Sequence, residues 1–211
     1  MTVQRASRAL SREESKLITR RRLLEAAARV LREGGHAALS TSAVTRAAGV
    51  AQPTFYVHFK DMSELVRTLA REKVDALRRP LQAARAKVAL GDGVDALRQT
   101  FRLPLEGLLE QPELFRLFVQ ELPHPDSDFG VEARALLREL EADLVNDLAR
   151  YGAPAHTDAE RRRLAMMSEG MIALTVALGV GHLDGRYPDL EQVVQVLADF
   201  ALGVLGALPS G

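Results

Sequence analysis

Apolar residues recur at three- and four-residue spacing along most of this chain of 211 residues. The clearest run lies near the C-terminus and steps alternately by four and three: Leu190, Val194, Leu197, Ala201, Val204 and Leu208. This spacing puts the side chains on one face of a helix, whereas a half-buried strand needs apolar residues at every second position. No stretch alternates with a period of two for long, so we predict an all-α fold of about nine helices.

Glycine and proline residues mark the expected ends of these helices. Gly34-Gly35 is expected to end the first helix, because glycine adopts the left-handed cap conformation at little cost. Pro80 interrupts the helical pattern of residues 65–88 and is expected to kink or end it, because proline lacks a backbone donor. Pro, Gly, Asp and Ser predict loops over residues 124–130, 152–157 and 181–189.

Charge is divided unevenly along the chain, although the whole sequence is neutral, with 28 Lys and Arg against 28 Asp and Glu. Residues 1–90 hold 18 Lys and Arg against 8 Asp and Glu, and residues 91–211 hold the remaining 10 against 20. Such asymmetry suggests one part that faces nucleic acid, although solvated arginine-rich helix faces would give the same balance.

Composition excludes several classes of protein. With 0 Cys, the chain has no disulfide scaffold, thiolate metal site or cysteine nucleophile. With 47% hydrophobic residues, it is too apolar for a disordered polyelectrolyte. No segment reaches the roughly 20 apolar residues that span a bilayer, and the N-terminus lacks the apolar block of a secretory signal. We therefore expect a cytoplasmic protein with no membrane partner.

Residues 39–60 carry the most specific pattern in the sequence. Ser40 or Thr41 is a natural N-cap for a short helix that ends near Ala48, and Gly49 follows at once. Pro53 then stands where a second short helix can begin, since proline is tolerated in a first turn. Two short helices joined by a tight glycine turn form a helix-turn-helix.

The second of these short helices is rich in hydrogen-bonding side chains. In a helix-turn-helix, the first residues of this helix meet base edges in the major groove of DNA. Gln52 can form two hydrogen bonds with adenine, and Thr54 can offer a methyl group to thymine. Phe55 and Phe59 are expected in the core. Four further residues are expected at phosphate oxygens, which set register without reading sequence: Thr41, Tyr56, His58 and Lys60.

Over residues 19–69 the chain resembles the TetR family of bacterial transcriptional repressors. The matching elements are the helix at 21–34, the turn around Gly49 and the segment 52–60. The resemblance assigns DNA-binding roles to seven residues: Thr41 and Ser42 at the DNA backbone, Gln52, Pro53 and Thr54 at the bases, and Tyr56 and His58 at phosphates.

Two positions depart from the family pattern. Met62 stands where a lysine is usual, and Lys60 is the candidate for supplying that charge. Ser42 stands where some members carry an arginine that reads bases. Base specificity is therefore expected to depend mainly on Gln52 and Thr54.

The resemblance also implies a domain organisation. We expect a flexible basic arm at 1–16, a three-helix DNA-binding head with the helix-turn-helix at 17–64, and a larger helical ligand-binding and dimerisation domain at 65–211. The resemblance further implies a homodimer formed by the larger domain. The last two helices carry small residues at near-helical spacing that are compatible with it, because they permit close helix approach, although such residues also suit packing within one chain: Gly170, Ala173, Ala177, Gly181, Ala201, Gly203 and Gly206.

A small hydrophobic effector is expected among the middle helices. The candidate lining residues form a Phe, Leu and Met stripe, a pattern that is also typical of an ordinary core: Phe101, Leu105, Leu108, Phe115, Phe118, Met166, Met167 and Met171. Residues 115–121 and 127–129 resemble the branch of the family that senses fatty acyl groups. A fatty acyl compound is therefore one candidate effector.

These features together predict a homodimeric repressor that binds a palindromic double-stranded DNA operator and is released by its ligand. We predict no cofactor, no metal and no enzyme activity: three His-x-Asp pairs fall in expected loops, where these residues are common, and no catalytic constellation has useful spacing. Two alternatives stay open. One is an activator, or a regulator controlled by a partner protein instead of a small molecule. The other is an enzyme or lipid carrier with a helix-turn-helix that plays no part in its activity.

Overall fold

The computed structural model describes residues 11–91, 93–124 and 126–206, and all regular structure within these ranges is helical. It contains a short 3-10 turn at His36–Ala38 and nine α-helices: α1 Arg12–Gly34, α2 Thr41–Ala48, α3 Gln52–His58, α4 Met62–Ala89, α5 Gly93–Glu110, α6 Pro112–Glu121, α7 Asp128–Arg150, α8 Asp158–Leu183 and α9 Leu190–Gly206. The all-α prediction is confirmed.

The chain divides into two compact units between Leu69 and Ala70. The smaller unit, which we call the head, contains α1 to α3 and the first turns of α4. The larger unit contains the rest of α4 together with α5 to α9. The division falls a few residues after the boundary expected at residue 64.

The head has a core of its own, built from side chains of all its helices. Leu23 of α1, Val44 of α2, Phe55 of α3 and Leu65 of α4 are each 0% exposed, and Phe59 is 1% exposed. Burial of one such side chain stabilises a fold by about 1.5–3 kcal/mol. The prediction that Phe55 and Phe59 belong to the core is confirmed.

Helix α1 begins earlier than the sequence suggested. Ser11 accepts a hydrogen bond from the Glu14 amide at 3.1 Å, and the Glu14 carboxylate accepts one from the Ser11 amide at 2.7 Å. This reciprocal capping box starts the helix at Arg12. Residues 12–16 are therefore helical and not part of a flexible arm, while residues 1–10 of that predicted arm lie outside the described ranges.

Pro80 does not end α4, which continues from Met62 to Ala89. Of the two outcomes expected at this proline, a kink or an end of the helix, the end is wrong. A proline removes the donor that would bond the carbonyl four residues earlier, which here is Ala76. Ala76 and Pro80 are both exposed, so water can satisfy that carbonyl and the helix survives the loss.

Two predicted loops are shorter than expected, because side-chain and backbone bonds extend the neighbouring helices into them. The Ser127 hydroxyl accepts from the Gly130 amide at 2.9 Å and starts α7 at Asp128, inside the predicted loop 124–130. Helix α8 continues to Leu183, inside the predicted loop 181–189. The predicted loop at 152–157 is confirmed.

The core of the larger unit lies mainly between α5 and α9. Leu97, Phe101 and Leu105 of α5 pack with buried aliphatic residues of α9, among them Val194 and Leu197. Val194 and Leu197 belong to the run whose helical spacing indicated a helix near the C-terminus. Leu97 and Phe101 also line a cavity, described below.

Candidate DNA interface and ligand cavity

The turn between α2 and α3 depends on one glycine. Gly49 has φ +65° and ψ +39°, the left-handed conformation that L side chains rarely adopt. Its amide donates to the Arg46 carbonyl at 3.1 Å, and the Val50 amide donates to the Thr45 carbonyl at 3.0 Å. These bonds end α2 and turn the chain directly into α3, as the sequence predicted for this residue.

Two arginines of α1 hold the end of α2. The Arg22 guanidinium donates to the Ala48 carbonyl at 2.6 Å, and the Arg29 guanidinium donates to the Ala47 carbonyl at 2.6 Å. Positive charge at a helix C-terminus is favourable, because the unpaired carbonyls there carry partial negative charge. Arg22 and Arg29 thereby fix the start of the turn. The sequence analysis missed both residues. Their seven-residue spacing, which places them on one face of α1, was the available signal.

Helix α3 is anchored on one side and open on the other. Phe55 is buried, and its ring lies edge-on to that of Tyr56 with the centroids 5.4 Å apart. Gln52, Pro53 and Tyr56 are exposed, with Tyr56 at 58%. Exposed side chains at the start of a short helix that is fixed by its aromatic residues suit contact with another molecule.

The remaining residues expected at DNA differ in their exposure. Thr54 and His58 on α3 and Thr41 at the start of α2 are partly buried, whereas Ser42 and Lys60 are exposed. Ser40, not Thr41, is the N-cap of α2, and its hydroxyl accepts from the Ala43 amide at 3.2 Å.

A basic cluster surrounds His58. Burial lowers the pKa of His58, and the positive charges of Lys16 and Arg20 lower it further. The His58 Nδ1 is buried and has no hydrogen-bond partner. The Arg20 guanidinium lies 4.3 Å from the centroid of the Phe59 ring. His58 is therefore held neutral beside two cations, an arrangement that a nearby anion would stabilise.

Lys60 precedes α4 and leaves its side chain exposed to solvent. Its amide donates to the Glu64 carboxylate at 2.6 Å, while the Asp61 carboxylate accepts from the Glu64 amide at 2.8 Å. These reciprocal bonds cap the start of α4 and use the backbone of Lys60, not its ammonium group. Met62, where the family pattern has a lysine, is partly buried.

The larger unit contains a partly open cavity of about 580 Å³ with mostly apolar walls. Its volume lies within the range of about 300–1,000 Å³ that is usual for small-molecule sites. Most of the residues expected to line a ligand site do line it: Phe101, Leu108, Phe115, Phe118, Met167 and Met171. Leu105 is 1% exposed and packs in the α5–α9 core instead, and Met166 is 65% exposed on the outer face of α8.

Several polar residues of the cavity wall were not anticipated from the sequence. The Arg85 guanidinium of α4 pairs with the Asp147 carboxylate of α7 at 2.8 Å, and their side chains are 15% and 7% exposed. Ser168 of α8 is 1% exposed, and its Oγ has no hydrogen-bond partner. These residues stand on three helices, so no local pattern could have brought them together.

Residues 23–69 match the family model described as "Bacterial regulatory proteins, tetR family". The match covers all of α2 and α3 and extends to the end of the head. Residues 23–69 are therefore similar to the tetR family of bacterial regulatory proteins, and the glycine turn and the exposed side of α3 described above lie within the matched segment.

Solved structures extend the likeness to the whole fold. The fatty acid degradation regulator FadR from Bacillus halodurans is 16% identical, with a TM-score of 0.70, and the alignment covers 88% of this chain and 95% of that one. A transcriptional regulator from Rhodococcus sp. Rha1 is 22% identical, with a TM-score of 0.66 and coverage of 87% and 96%. A TetR family member from Streptomyces coelicolor is 23% identical, with a TM-score of 0.62 and coverage of 86% and 96%. The chain has the TetR-like fold.

Proposed function

We propose that this chain, which joins a tetR-type DNA-binding domain to a larger helical unit, is a homodimeric transcriptional repressor that a small hydrophobic ligand releases from a palindromic DNA operator. The observation that carries the proposal is the exposed side of α3: Gln52 and Tyr56 are presented to solvent while Phe55 fixes the helix from behind. This is the geometry that a recognition helix needs in the major groove.

Base reading is assigned to Gln52, Pro53 and Thr54 at the start of α3, and phosphate contact to five residues around it: Thr41, Ser42, Tyr56, His58 and Lys60. The neutral state of His58 beside Lys16 and Arg20 supports this division. A phosphate would stabilise all three groups, whereas a base edge would leave the two cations without a counter-charge.

The exposed apolar surface of α8 and α9 supports the homodimer. Small and apolar residues lie exposed along one side of each helix, and we call them together the α8–α9 face: Met166, Gly170, Ala173 and Ala177 of α8, and Val196, Phe200 and Gly203 of α9. Small residues permit close helix packing, and a two-fold interface uses the same face on both copies. Two recognition helices about 34–36 Å apart would then read a palindromic site.

Helix α8 is also long and apolar enough, by length and composition alone, to cross a membrane. Only 22% of its most apolar window is buried within the single chain. One side of α8 lines the cavity through Met167, Met171 and Thr175, and the other side belongs to the α8–α9 face. A second copy packed on that face accounts for the apolar character of the helix without a membrane.

The cavity supports a small hydrophobic ligand, and a fatty acyl compound is the candidate we favour. Val74, Leu77 and Leu81 of α4 line the cavity, and α4 itself begins at Met62 in the head. We propose that ligand binding shifts α4 and with it the spacing of the two recognition helices. A coupling of about 1–3 kcal/mol would change operator occupancy about 5–150-fold.

Selection of bound sequences from a pool of random double-stranded DNA, with and without fatty acyl compounds, tests this function. The expected result is an inverted repeat with half-sites one helical turn apart, bound less tightly when acyl compound is present. Recovery of no preferred sequence would contradict the proposal and favour an enzyme or lipid carrier. Tighter binding with ligand would indicate that the ligand does not release the operator, and an unchanged affinity would favour control by a partner protein.

A further inference from the structure

The cavity of the larger unit contains one polar group that the protein itself leaves unused. Ser168 is 1% exposed and lines the cavity, and its Oγ has no hydrogen-bond partner. Among the described residues of the wall, it is the one whose buried side-chain oxygen or nitrogen lacks a partner. A buried hydroxyl without a bond is unfavourable unless something inside the cavity completes it.

The other hydroxyls of the helical wall are already occupied. Thr100 Oγ1 donates to the Leu97 carbonyl at 2.7 Å, and Thr175 Oγ1 donates to the Met171 carbonyl at 2.8 Å. Such return bonds to the preceding turn are the usual arrangement for hydroxyls within helices. Ser168 also lies within a helix but makes no such bond, so its hydroxyl is left without a partner in the wall of the cavity.

The cations of the wall are occupied as well. Arg85 pairs with Asp147 at 2.8 Å, and Lys73 pairs with Glu110 at 2.8 Å. A ligand carboxylate would lose its hydration on entry and would meet no unpaired cation among the described residues of the wall, which is costly. An uncharged polar group loses far less hydration, and a single hydroxyl can compensate it.

We propose that the cavity selects an apolar molecule that carries an uncharged hydrogen-bonding group, such as a ketone, alcohol, ester or thioester, and that Ser168 recognises that group. This inference rests on the proposed function, because it treats the cavity as the effector site. Applied to fatty acyl compounds, it selects esters and thioesters over free acids. Ser168 thereby determines specificity for the polar end of the ligand.

Four twelve-carbon probes test the inference on the purified full chain: a methyl ketone, a primary alcohol, a carboxylate and an alkane. Their affinities are measured by displacement of a fluorescent apolar dye. The native chain is expected to bind the ketone and the alcohol at least about tenfold more tightly than the carboxylate. Ser168→Ala is expected to weaken the ketone and alcohol about five- to tenfold and to leave the alkane unchanged. Thr19→Val, which removes a bonded hydroxyl of α1 that does not belong to the cavity wall, is expected to change ketone affinity less than twofold.

A second variant tests the charge argument. Asp147→Asn leaves Arg85 without its carboxylate, so the carboxylate probe is expected to gain about tenfold in affinity while the ketone keeps its own. Thermal unfolding confirms that each variant is folded. The comparison of Ser168→Ala with the native chain does not depend on the Asp147→Asn variant. A native preference for the carboxylate, or an equal loss for all four probes in Ser168→Ala, would overturn the inference. Failure of every probe to bind the native chain would overturn it together with the ligand-binding part of the proposed function, whereas operator selection tests the DNA-binding part separately.

Discussion

At the scale of single residues, Gln52 and Lys60 are both exposed but are assigned different tasks. Gln52→Ala removes two hydrogen bonds to one base, so we expect preference for the selected operator over a scrambled one to fall by about 1–3 kcal/mol, mostly through loss of operator affinity. Lys60→Ala removes a phosphate contact, so affinity for both DNAs should fall alike. The slope of log affinity against log salt concentration should decrease in magnitude by about one. Titrations of both duplexes at several salt concentrations distinguish the two results. An unchanged preference in Gln52→Ala would mean that α3 is not the reading helix.

The neutral state of His58 has a consequence for pH. Burial, Lys16 and Arg20 lower its pKa in the folded head, so the unfolded chain takes up a proton at a higher pH than the folded one. The contribution of His58 to stability is therefore fully present above the ordinary histidine pKa of about 6.5 and is lost as the pH falls through the folded value. Hydrogen exchange of the α2 and α3 amides is expected to speed up over that range in the native chain. His58→Gln should reduce this acid sensitivity, and equal sensitivity in both proteins would disprove the assignment.

At the scale of elements, the angle between α2 and α3 depends on Gly49. An alanine there would take a left-handed conformation that costs about 1–2 kcal/mol, and its Cβ would lie 3.3 Å from the Arg22 guanidinium that caps α2. Gly49→Ala is therefore expected to lower both the stability of the head and its operator affinity. Gly49→Asn should be milder, because asparagine tolerates this conformation better. Equal losses for alanine and asparagine, measured by hydrogen exchange and operator titration, would exclude backbone strain as the cause.

The local parts of this architecture follow from the sequence, and the distant contacts do not. Helical spacing, a cap at Ser40 or Thr41, the turn at Gly49 and the buried Phe55 and Phe59 are each decided by residues within a few positions of one another, and all could be predicted. An end of α4 at Pro80, one of the two outcomes expected there, was wrong because water can satisfy the exposed carbonyl that the proline leaves unpaired, and exposure is a tertiary property.

Contacts between separate helices set the limit of prediction in both candidate sites. The bond from Arg22 to the Ala48 carbonyl joins residues 26 positions apart, and the Arg85–Asp147 pair joins residues 62 apart. Nothing in the neighbourhood of either arginine indicates its partner. The aromatic and methionine residues of the cavity wall were predictable as a class. Leu105 of α5 was predicted with them but lies in the core, because α9 covers its side of α5.

At the scale of the whole molecule, charge and apolar surface are separated between the two units. The first 69 residues hold 12 of the 28 Lys and Arg and 6 of the 28 Asp and Glu, which leaves the larger unit with 16 against 22. The positive unit is the one proposed to meet phosphates, and the negative unit carries the exposed α8–α9 face. Negative charge on the larger unit disfavours contact between that unit and DNA, so DNA is directed to the head.

The α8–α9 face supplies the test of assembly, because a palindromic operator needs two heads in one particle. Phe200 on this face is 56% exposed, and Phe200→Asp would bury a charge in the proposed interface. We expect this variant to be monomeric in analytical ultracentrifugation and to bind the full operator no more tightly than a single half-site. Val131→Asp on α7, where the native side chain is 51% exposed and lies outside the face, should remain dimeric and keep operator affinity. A dimeric Phe200→Asp with native operator affinity would show that the two copies associate elsewhere, and the assignment of the last two helices to the interface would then be wrong.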